Sequence, residues 1–399
     1  MKAWPRARVR GLLIFAIVVG TLLGAGAGSF LLWGSGDDSA VPLMRDPLPK
    51  PSRWAGPPAS CGVSPETIRE LVPGAEPGEQ RVRETARFFL CSWSTPSSLY
   101  GKRRVTLRVS LSEEQSSDKK PSVSDAMGFF ETMQNNHASQ WRDVVGLADE
   151  AVVGGGTVLF RTEAVIAEVE YEVRLWDQEL KLIDDEHVLT DGALKVAAGV
   201  ARALGLEVGK LSVVTAANQS TGDLLSAPED ICATVSEDVL VSTGVTPAAS
   251  MPLTRFAYVE GAAGGSCTWY DTDYTRSVHV AVSAVPDGAS ATAERKAARH
   301  YLMEYHRARE GAMILDEHRG SLRFHALRGL GDEAFACAYV DGRRSDRSKV
   351  EAYGVVWFRV HNLLVRVEHR APTGELTEES ALTAAYKIAK DLAGSLETA

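Results

Sequence analysis

An internal repeat constrains this 399-residue chain more than any other feature. Two stretches, beginning at Cys61 and Cys232, carry the same landmarks in the same order. Each has a second cysteine followed two residues later by tryptophan, two segments of alternating apolar residues, a Gly-Leu-x-Asp-Glu-Ala motif and a closing helical segment. Chance supplies one such match but not six in register, so the sequence predicts two copies of one module.

The matched residues are apolar apart from His369, and they follow the periods of strands and helices. They are Val105, Leu107 and Val109 against Val278, Val280 and Val282; Val165, Ala167, Val169 and Tyr171 against Leu363, Val365, Val367 and His369; and Ala193, Ala197 and Ala201 against Ala381, Ala385 and Ala389. Alternation buries one face of an antiparallel sheet and leaves the other polar. Small residues at every fourth position let a helix approach a sheet closely. The sequence therefore predicts an α+β class, in which each domain packs helices on one side of an antiparallel sheet.

The cysteines support the repeat. Four of the five lie at equivalent places in the two copies, which predicts the disulfides Cys61–Cys91 and Cys232–Cys267. The alternative is that these four are free and buried. Cys337 has no counterpart and lies in a strand-like segment, so we predict a buried thiol, with an intermolecular bridge as the alternative. No Cys-x-x-Cys or nearby histidine pair completes a metal-ligand set, and no metal is predicted.

An uncharged segment near the N-terminus sets the expected domain organisation. Residues 11–33 lack charged side chains and follow four basic ones, which predicts a membrane helix with the bulk of the chain outside the cytoplasm. The expected segments are a cytoplasmic tail at 1–10, a transmembrane anchor at 11–33, an extended proline-rich linker at 34–60, a first repeat domain at 61–215 and a second at 228–399. A cleaved signal peptide is the alternative.

Charge argues against one class of partner. The net charge is −9, and the four basic residues before residue 11 leave −13 on the remainder. An acidic body repels phosphate backbones, so nucleic acid is not an expected partner.

Short motifs that resemble reactive sites have plainer structural interpretations. We interpret Ser116–Lys119 as a polar loop, Gly205–Lys210 as a helix end followed by a strand, Asp271–Asp273 as a hairpin turn, and Asp184–His187 as the acidic start of a helix. The recurring pairs Asp149-Glu150 and Asp332-Glu333 suggest an acid/base pair, but neighbouring strand residues point to opposite faces and cannot act together on one substrate. We therefore interpret them as structural turns before the following strand. No catalytic residue or cofactor is predicted.

Histidines and tryptophans offer further possible contacts. Seven of the nine histidines lie in the second copy, and we expect them at the surface: His279, His300, His306, His318, His325, His361 and His369. Trp93, Trp269 and Trp357 are candidate apolar ligand contacts, although core packing is the favoured interpretation.

The motifs Cys61-Gly-Val, Val72-Pro-Gly-Ala, Cys91-Ser-Trp and Gly329-Leu-Gly-Asp-Glu-Ala334 resemble those of an uncharacterised domain of actinobacterial exported lipoproteins, distantly similar to the LpqN type. The resemblance spans roughly residues 58–205 and, more loosely, 228–397. It implies a PsbP-like sandwich without enzymatic activity at the outer face of the membrane or in the cell wall. This chain departs from the pattern by lacking a lipidated cysteine.

Together these features predict a membrane-anchored extracytoplasmic binding protein of unknown ligand, held to the membrane through its N-terminal helix. An unknown envelope protein is the other expected partner, and a ligand site would lie on an open sheet face or between the two copies. The alternatives are a cell-envelope hydrolase and a sensor ectodomain that works with a partner. A carboxylate pair or a Ser–Lys pair within hydrogen-bond reach in a pocket would favour the hydrolase.

Overall fold

A computed structural model of the chain describes most of the residues beyond residue 53. The described residues are 43–44, 54, 56–77, 81–83, 87–96, 103–115, 120–135, 141–175, 181–182, 186–214, 224–253, 259, 261–288, 291–310, 322–341, 350–374 and 377–397. Residues 41–399 form one compact unit, which therefore contains both copies of the repeat.

The first copy contributes a ten-stranded sheet and three helices. Its elements are α1 (Pro65–Leu71), β2 (Glu76–Pro77), β3 (Arg81–Arg83), β4 (Arg87–Ser94), β5 (Arg103–Glu113), α2 (Val123–Asn135), β6 (Arg142–Val145), β7 (Glu150–Gly154), β8 (Thr157–Thr162), β9 (Val165–Leu175), β10 (Lys181–Leu182), α3 (Glu186–Ala203) and β11 (Ser212–Val213).

The second copy contributes most of an eight-stranded sheet and three further helices. Its elements are α4 (Glu237–Ser242), β12 (Thr246–Leu253), β13 (Ala263–Tyr270), β14 (Ser277–Ala284), α5 (Ala293–Arg309), β15 (Arg323–Leu327), β16 (Glu333–Asp341), β17 (Glu351–Val360), β18 (Leu363–Pro372) and α6 (Glu378–Glu397). The eighth strand, β1 (Leu43–Met44), precedes the first copy in the chain.

The two sheets share one topology. The first sheet has the order β6-β7-β8-β9-β5-β4-β2, and the second has the order β15-β16-β17-β18-β14-β13-β12. All the pairings in both sheets are antiparallel among the described strands. Seven strand positions therefore correspond one to one, which fits a repeated domain.

The pairing register corrects one part of the predicted alignment. Cys91 lies opposite Val109, and its counterpart Cys267 lies opposite Val280. The equivalents of Val278, Val280 and Val282 are therefore Leu107, Val109 and Leu111, two residues later than predicted. A slip of two residues keeps every side chain on the same face, so alternation alone could not reveal it.

The closing helices α3 and α6 cover one face of each sheet. Ala193, Ala197 and Ala201 are fully buried against the first sheet, and the matching alanines of α6 are fully buried against the second. A Cβ added at Gly354 in β17 would lie 2.3 Å from the backbone of Ala381 in α6. The predicted close approach of a small-residue helix to each sheet is confirmed.

The helices α2 and α5 cover part of the opposite face. In the first sheet Phe130 packs with Leu159 and Ile166, and in the second Tyr301 and Tyr305 pack on apolar strand residues. The two helices also contact each other through Val123, Met127 and Met303. The expectation that only one face of each sheet is covered was therefore wrong, because α2 and α5 lie between the sheets and bury both second faces in part.

Among the described residues of the predicted linker 34–60, two parts are packed rather than extended and free. Leu43 and Met44 pair with Leu327 and Ala326 at the edge of the second sheet. Trp54 packs edge-on against Phe89 at 5.3 Å, and its backbone N–H donates to Glu113 Oε1 at 2.8 Å. Strand pairing and aromatic packing thus attach parts of this segment to both sheets.

The predicted fold class also needs correction. It began with a transmembrane helix and gave each domain a PsbP-like sandwich, whereas the described residues form two antiparallel sheets with seven shared positions and six α-helices. None of those six helices is both long enough and apolar enough to cross a membrane. The tail at 1–10 and the predicted span at 11–33 lie outside the described residues.

Candidate functional site

The recurring Asp-Glu pair of the first copy holds a buried arginine on the neighbouring strand. Arg161 Nε donates to Glu150 Oε2 at 2.6 Å, and its Nη1 donates to the backbone oxygen of Glu163 at 2.8 Å. Asp149 Oδ2 lies 3.5 Å from the same Nη1 and accepts the backbone N–H of Glu163 at 2.8 Å. Glu163 has a φ of 47°, so Asp149 stabilises a strained hairpin turn.

The second copy repeats this arrangement atom by atom. Arg359 Nε donates to Glu333 Oε2 at 3.0 Å, and its Nη1 donates to the backbone oxygen of His361 at 2.8 Å. Asp332 Oδ2 accepts the backbone N–H of His361 at 2.7 Å, and His361 has a φ of 50°. We call each set of one arginine, its Asp-Glu pair and the turn residue an arginine clamp.

The clamps refine the prediction made for the acidic pairs. Their role at a turn is structural, as predicted, but the argument that the two carboxylates point apart was wrong. Asp149 precedes β7 rather than lying within it, so it reaches the same guanidinium as Glu150. The missed residues are the arginines. A signal existed, because Arg161 and Arg359 both lie four residues before the second matched strand segment.

The first clamp differs from the second in that helix α5 of the other copy contacts it. Arg299 forms an ion pair through its Nε with Glu150 Oε1, and its Nη1 donates to Gln134 Oε1 at 2.6 Å. Asp143 on β6 lies 3.2 Å from Arg295 and 3.8 Å from Arg299. The Asp143 side chain is 1% exposed, so these contacts form a buried ion cluster between the copies.

The two buried carboxyls have opposite pKa shifts. Burial by itself raises the pKa of Glu150, but the guanidinium groups of Arg299 and Arg161 outweigh it and hold that pKa below its ordinary value. Burial raises the pKa of Asp143 above its ordinary value, although Arg295 and Arg299 oppose the shift. Glu150 is therefore held as a carboxylate at neutral pH.

A second contact joins the copies at the other end of the helix pair. Glu310, which follows α5, accepts the backbone N–H of Val123 at 2.7 Å and the Ser124 hydroxyl at 2.6 Å. The Ser122 hydroxyl donates to the same carboxylate at 3.1 Å. A carboxylate is favourable at a helix N-terminus, where backbone N–H groups lack partners within the helix. Glu310 thus caps α2 from the other copy.

A cavity of about 460 Å³ opens between the first clamp and α5. Its lining residues come from both copies and are Val123, Asp149, Glu150, Arg161, Glu163, Arg295, Ala298, Arg299, Leu302 and His306. The α5 members follow helical spacing, so one stripe of that helix forms one wall. We call this cavity the inter-copy cleft.

A larger cavity of about 640 Å³ lies beside the segment 224–229, where β13 begins, β14 ends and the turn between β17 and β18 lies. Its lining residues are mainly small or apolar, and of its three polar side chains, Ser226, Glu229 and Asn362, the last is already used. The Asn362 amide accepts the N–H of Leu225 at 2.8 Å and donates to the carbonyls of Leu225 and Val285. Since few polar side chains converge there, the inter-copy cleft is the better candidate site.

The three tryptophans suggested as ligand contacts are core residues. Trp93, Trp269 and Trp357 are 5%, 1% and 2% exposed, respectively. Side chains this buried offer almost no surface to a ligand, and none of the three lines the cleft.

The prediction that the histidines of the second copy lie at the surface was wrong for His369. His369 is fully buried, and its Nε2 lies 3.2 Å from the backbone oxygen of Thr243. Of the others, His361 is exposed, and the partly buried ones are His279, His300, His306 and His325. Position 318 lies outside the described residues. Of the seven, His306 lines the inter-copy cleft.

The remaining motifs lie apart from the cleft. Asp271 accepts the N–H and the hydroxyl of Thr275, both at 2.7 Å, so the predicted hairpin turn is confirmed. Gly205 has a φ of 90° just after α3, which fits the predicted helix end. Glu186 at the start of α3 pairs with Arg142 at 2.5 Å. Residues 116–119 and 184–185 lie outside the described residues.

Two disulfides join the cysteine pairs that the repeat predicts, Cys61–Cys91 and Cys232–Cys267. Disulfides persist in oxidising compartments, so this pairing is consistent with an extracytoplasmic protein. Cys337 is a fully buried free thiol, and burial raises its pKa to about 12. A thiol with that pKa and no exposure is inert toward a second chain.

The cleft meets only part of the condition that would favour a hydrolase, because the carboxylates of Asp149, Glu150 and Glu163 line it but a Ser–Lys pair does not. Its lining residues include no serine and no lysine. Glu150 is ion-paired on two sides and remains ionised, so it cannot donate a proton to a substrate. Asp143 keeps its pKa above the ordinary range but is buried beneath arginines and does not line the cleft.

No family model and no curated protein matches this chain. Among solved structures, DynU16 from the dynemicin biosynthetic locus is 10% identical over 85% of this chain and 93% of its own, with a TM-score of 0.12. A dehydratase domain from the CurJ module of curacin polyketide synthase is 9% identical over 74% of this chain and 96% of its own, with a TM-score of 0.13. The di-domain ARO/CYC StfQ from the steffimycin biosynthetic pathway is 10% identical over 86% of this chain and 97% of its own, with a TM-score of 0.13. Similarity this weak carries no argument about fold or function.

Proposed function

We propose that this chain is an extracytoplasmic, non-catalytic binding protein whose ligand site is the inter-copy cleft. The observation that carries the proposal is the cleft itself, because its walls come from both copies and charged side chains converge in it. A volume of about 460 Å³ lies in the range typical of small-molecule sites, roughly 300–1,000 Å³. The two disulfides support a location outside the cytoplasm.

The helix pair makes the cleft a preformed site. Glu310 caps α2 from the end of α5, and the ion pair of Arg299 with Glu150 fixes α5 to the first sheet. Fixed walls lower the entropy cost of binding, because little of the protein has to be ordered around the ligand. The resemblance to exported lipoprotein domains supports the further proposal that the ligand is a component of the cell envelope.

The test is a fragment screen followed by ligand-detected NMR on the full chain. The library contains neutral, anionic, cationic and zwitterionic fragments in equal numbers. We expect a subset to bind, and to lose binding in Ala298→Trp, which fills the cleft from α5. The matched control is Lys387→Trp on the exposed side of α6, which should retain every binder.

The proposal fails if no fragment shows binding that Ala298→Trp removes and Lys387→Trp preserves. Unchanged urea unfolding midpoints of both variants establish that the loss comes from a filled cleft rather than from unfolding. Turnover of any fragment by the wild-type protein would instead favour the hydrolase alternative.

A further inference from the structure

Comparison of the two clamps shows which charged residues of the cleft serve the hairpin turn and which have another role. The second copy repeats the contacts of Asp149, Glu150 and Arg161 with the same atoms, through Asp332, Glu333 and Arg359. Those contacts therefore serve the hairpin wherever the module occurs. The charged groups that the second clamp does not reproduce are Glu163, whose counterpart is His361, and the α5 arginines Arg295 and Arg299.

The accessible charges of opposite sign lie on opposite walls of the cleft. On the wall from the first copy, the Asp149 side chain is 47% exposed, whereas that of Arg161 is only 5% exposed. The acidic oxygens of Asp149 are therefore more accessible to a ligand there than the Arg161 guanidinium. On the α5 wall the cations Arg295 and Arg299 are 36% and 11% exposed. One wall thus presents negative charge and the other presents positive charge.

Two of these groups have hydrogen-bonding capacity left. Asp149 uses Oδ2 for the turn and for Arg161, and Oδ1 has no partner among the described residues. The Arg295 guanidinium contacts only Asp143 within the described part of the chain, at 3.2 Å through Nη1. A guanidinium has five donors, so most of those of Arg295 remain for a ligand.

We propose that the inter-copy cleft selects small zwitterions of the amino-acid or dipeptide type. This inference rests on the proposed function and names its ligand class. The ligand carboxylate binds the Arg295 guanidinium on α5, and the ligand ammonium binds Asp149 on the opposite wall. The apolar part of the ligand packs between these ends, on Val123, Ala298 and Leu302. A ligand with a single charge pairs with the charged residues of one wall and leaves those of the other wall without a partner of opposite charge.

The test compares three ligands that share one body. Alanyl-leucine carries both charges, N-acetyl-alanyl-leucine keeps only the carboxylate, and alanyl-leucinamide keeps only the ammonium. Calorimetric titration of the full chain at neutral pH should give a Kd for alanyl-leucine at least about tenfold below that of either derivative, since each lost charge removes a charge-assisted hydrogen bond.

A variant assigns the carboxylate contact. Arg295→Gln should weaken alanyl-leucine and its acetyl derivative by about tenfold or more and leave alanyl-leucinamide unchanged, because only the first two present a carboxylate. The matched control is Arg202→Gln on the exposed end of α3, which should change none of the three affinities. Circular dichroism and a cooperative urea transition of each variant show that both are folded.

Equal binding of the three ligands, or equal weakening of all three by Arg295→Gln, would overturn the zwitterion assignment. Absence of binding by all three would overturn it as well. If the fragment screen still finds binders that Ala298→Trp removes, the cleft is a binding site for another chemical class, and the proposed function stands. If that screen is also empty, both proposals fall.

Discussion

The two arginine clamps predict how much burial alone adds to the strength of an ion pair. Arg161→Met and Arg359→Met remove the same three contacts in the two copies: one to the Glu, one to the Asp and one to a backbone carbonyl. The environments differ. Glu150 is 10% exposed in the first clamp, whereas Glu333 is 38% exposed in the second.

The expected magnitudes follow from that difference. In the first clamp, truncation leaves a buried carboxylate with one partner fewer, and breaking a buried pair costs about 3–5 kcal/mol. Because Arg299 still contacts Glu150, we expect the lower end, about 3 kcal/mol. In the second clamp water can solvate both carboxylates, so the ion pairs contribute at most about 1 kcal/mol. The difference between the variants should be about 2 kcal/mol.

The assay is urea unfolding of the full chain, followed by tryptophan fluorescence and by circular dichroism. The two probes together show whether the copies unfold in one transition, which the comparison requires. Arg161→Met should lower the unfolding free energy by clearly more than Arg359→Met does. Equal losses in the two variants, or a larger loss for Arg359→Met, would refute the reasoning that burial decides the contribution of the clamp.

Three further predictions concern pH, packing and the disulfides. Burial lowers the pKa of His369 to about 4, below the ordinary 6.5, so the folded state favours neutral imidazole. The contribution of this group to stability is full above pH 6.5 and falls by up to about 3 kcal/mol as pH drops to 4. Urea unfolding should therefore show a smaller acid loss in His369→Gln than in wild type, with a remainder from His300, whose pKa burial also lowers to about 4. Gly354→Ala should lower the melting temperature sharply because its Cβ meets the Ala381 backbone at 2.3 Å, whereas Gly374→Ala, with nothing within 4 Å, should not. Cys267→Ser opens a bridge that spans 35 residues and should cost about 3–4 kcal/mol, and an unchanged midpoint would contradict a stabilising bridge.

Short-range patterns were enough to find the repeated unit and several of its parts. The spacing of Cys61, Cys91, Cys232 and Cys267 identified both bridges, because equivalent positions in a duplicated fold lie equally close. Alanine at every fourth position identified the helices that approach each sheet. These features depend on period and order along the chain, which a sequence displays directly.

Other interpretations failed where one pattern permits several arrangements. A two-residue shift in β5 leaves alternation intact, so only the pairing of Cys91 with Val109 gave the register. His369 carries a polar side chain in an alternating strand, but it occupies the place of Tyr171 and, like it, bonds a carbonyl near a short helix. Burial of such a side chain depends on an acceptor that is distant in sequence.

By itself, the sequence determined that one module occurs twice, which cysteines pair, and which helices lie closest to the sheets. Only the tertiary structure decided that α2 and α5 lie between the sheets, that Leu43 and Met44 pair with the second sheet, and that Arg299 reaches Glu150 in the other copy. Periodicity shows which face of an element is apolar, but not which distant element covers it. The cleft exists because two modules pack together, and that packing depends on contacts between residues more than a hundred positions apart.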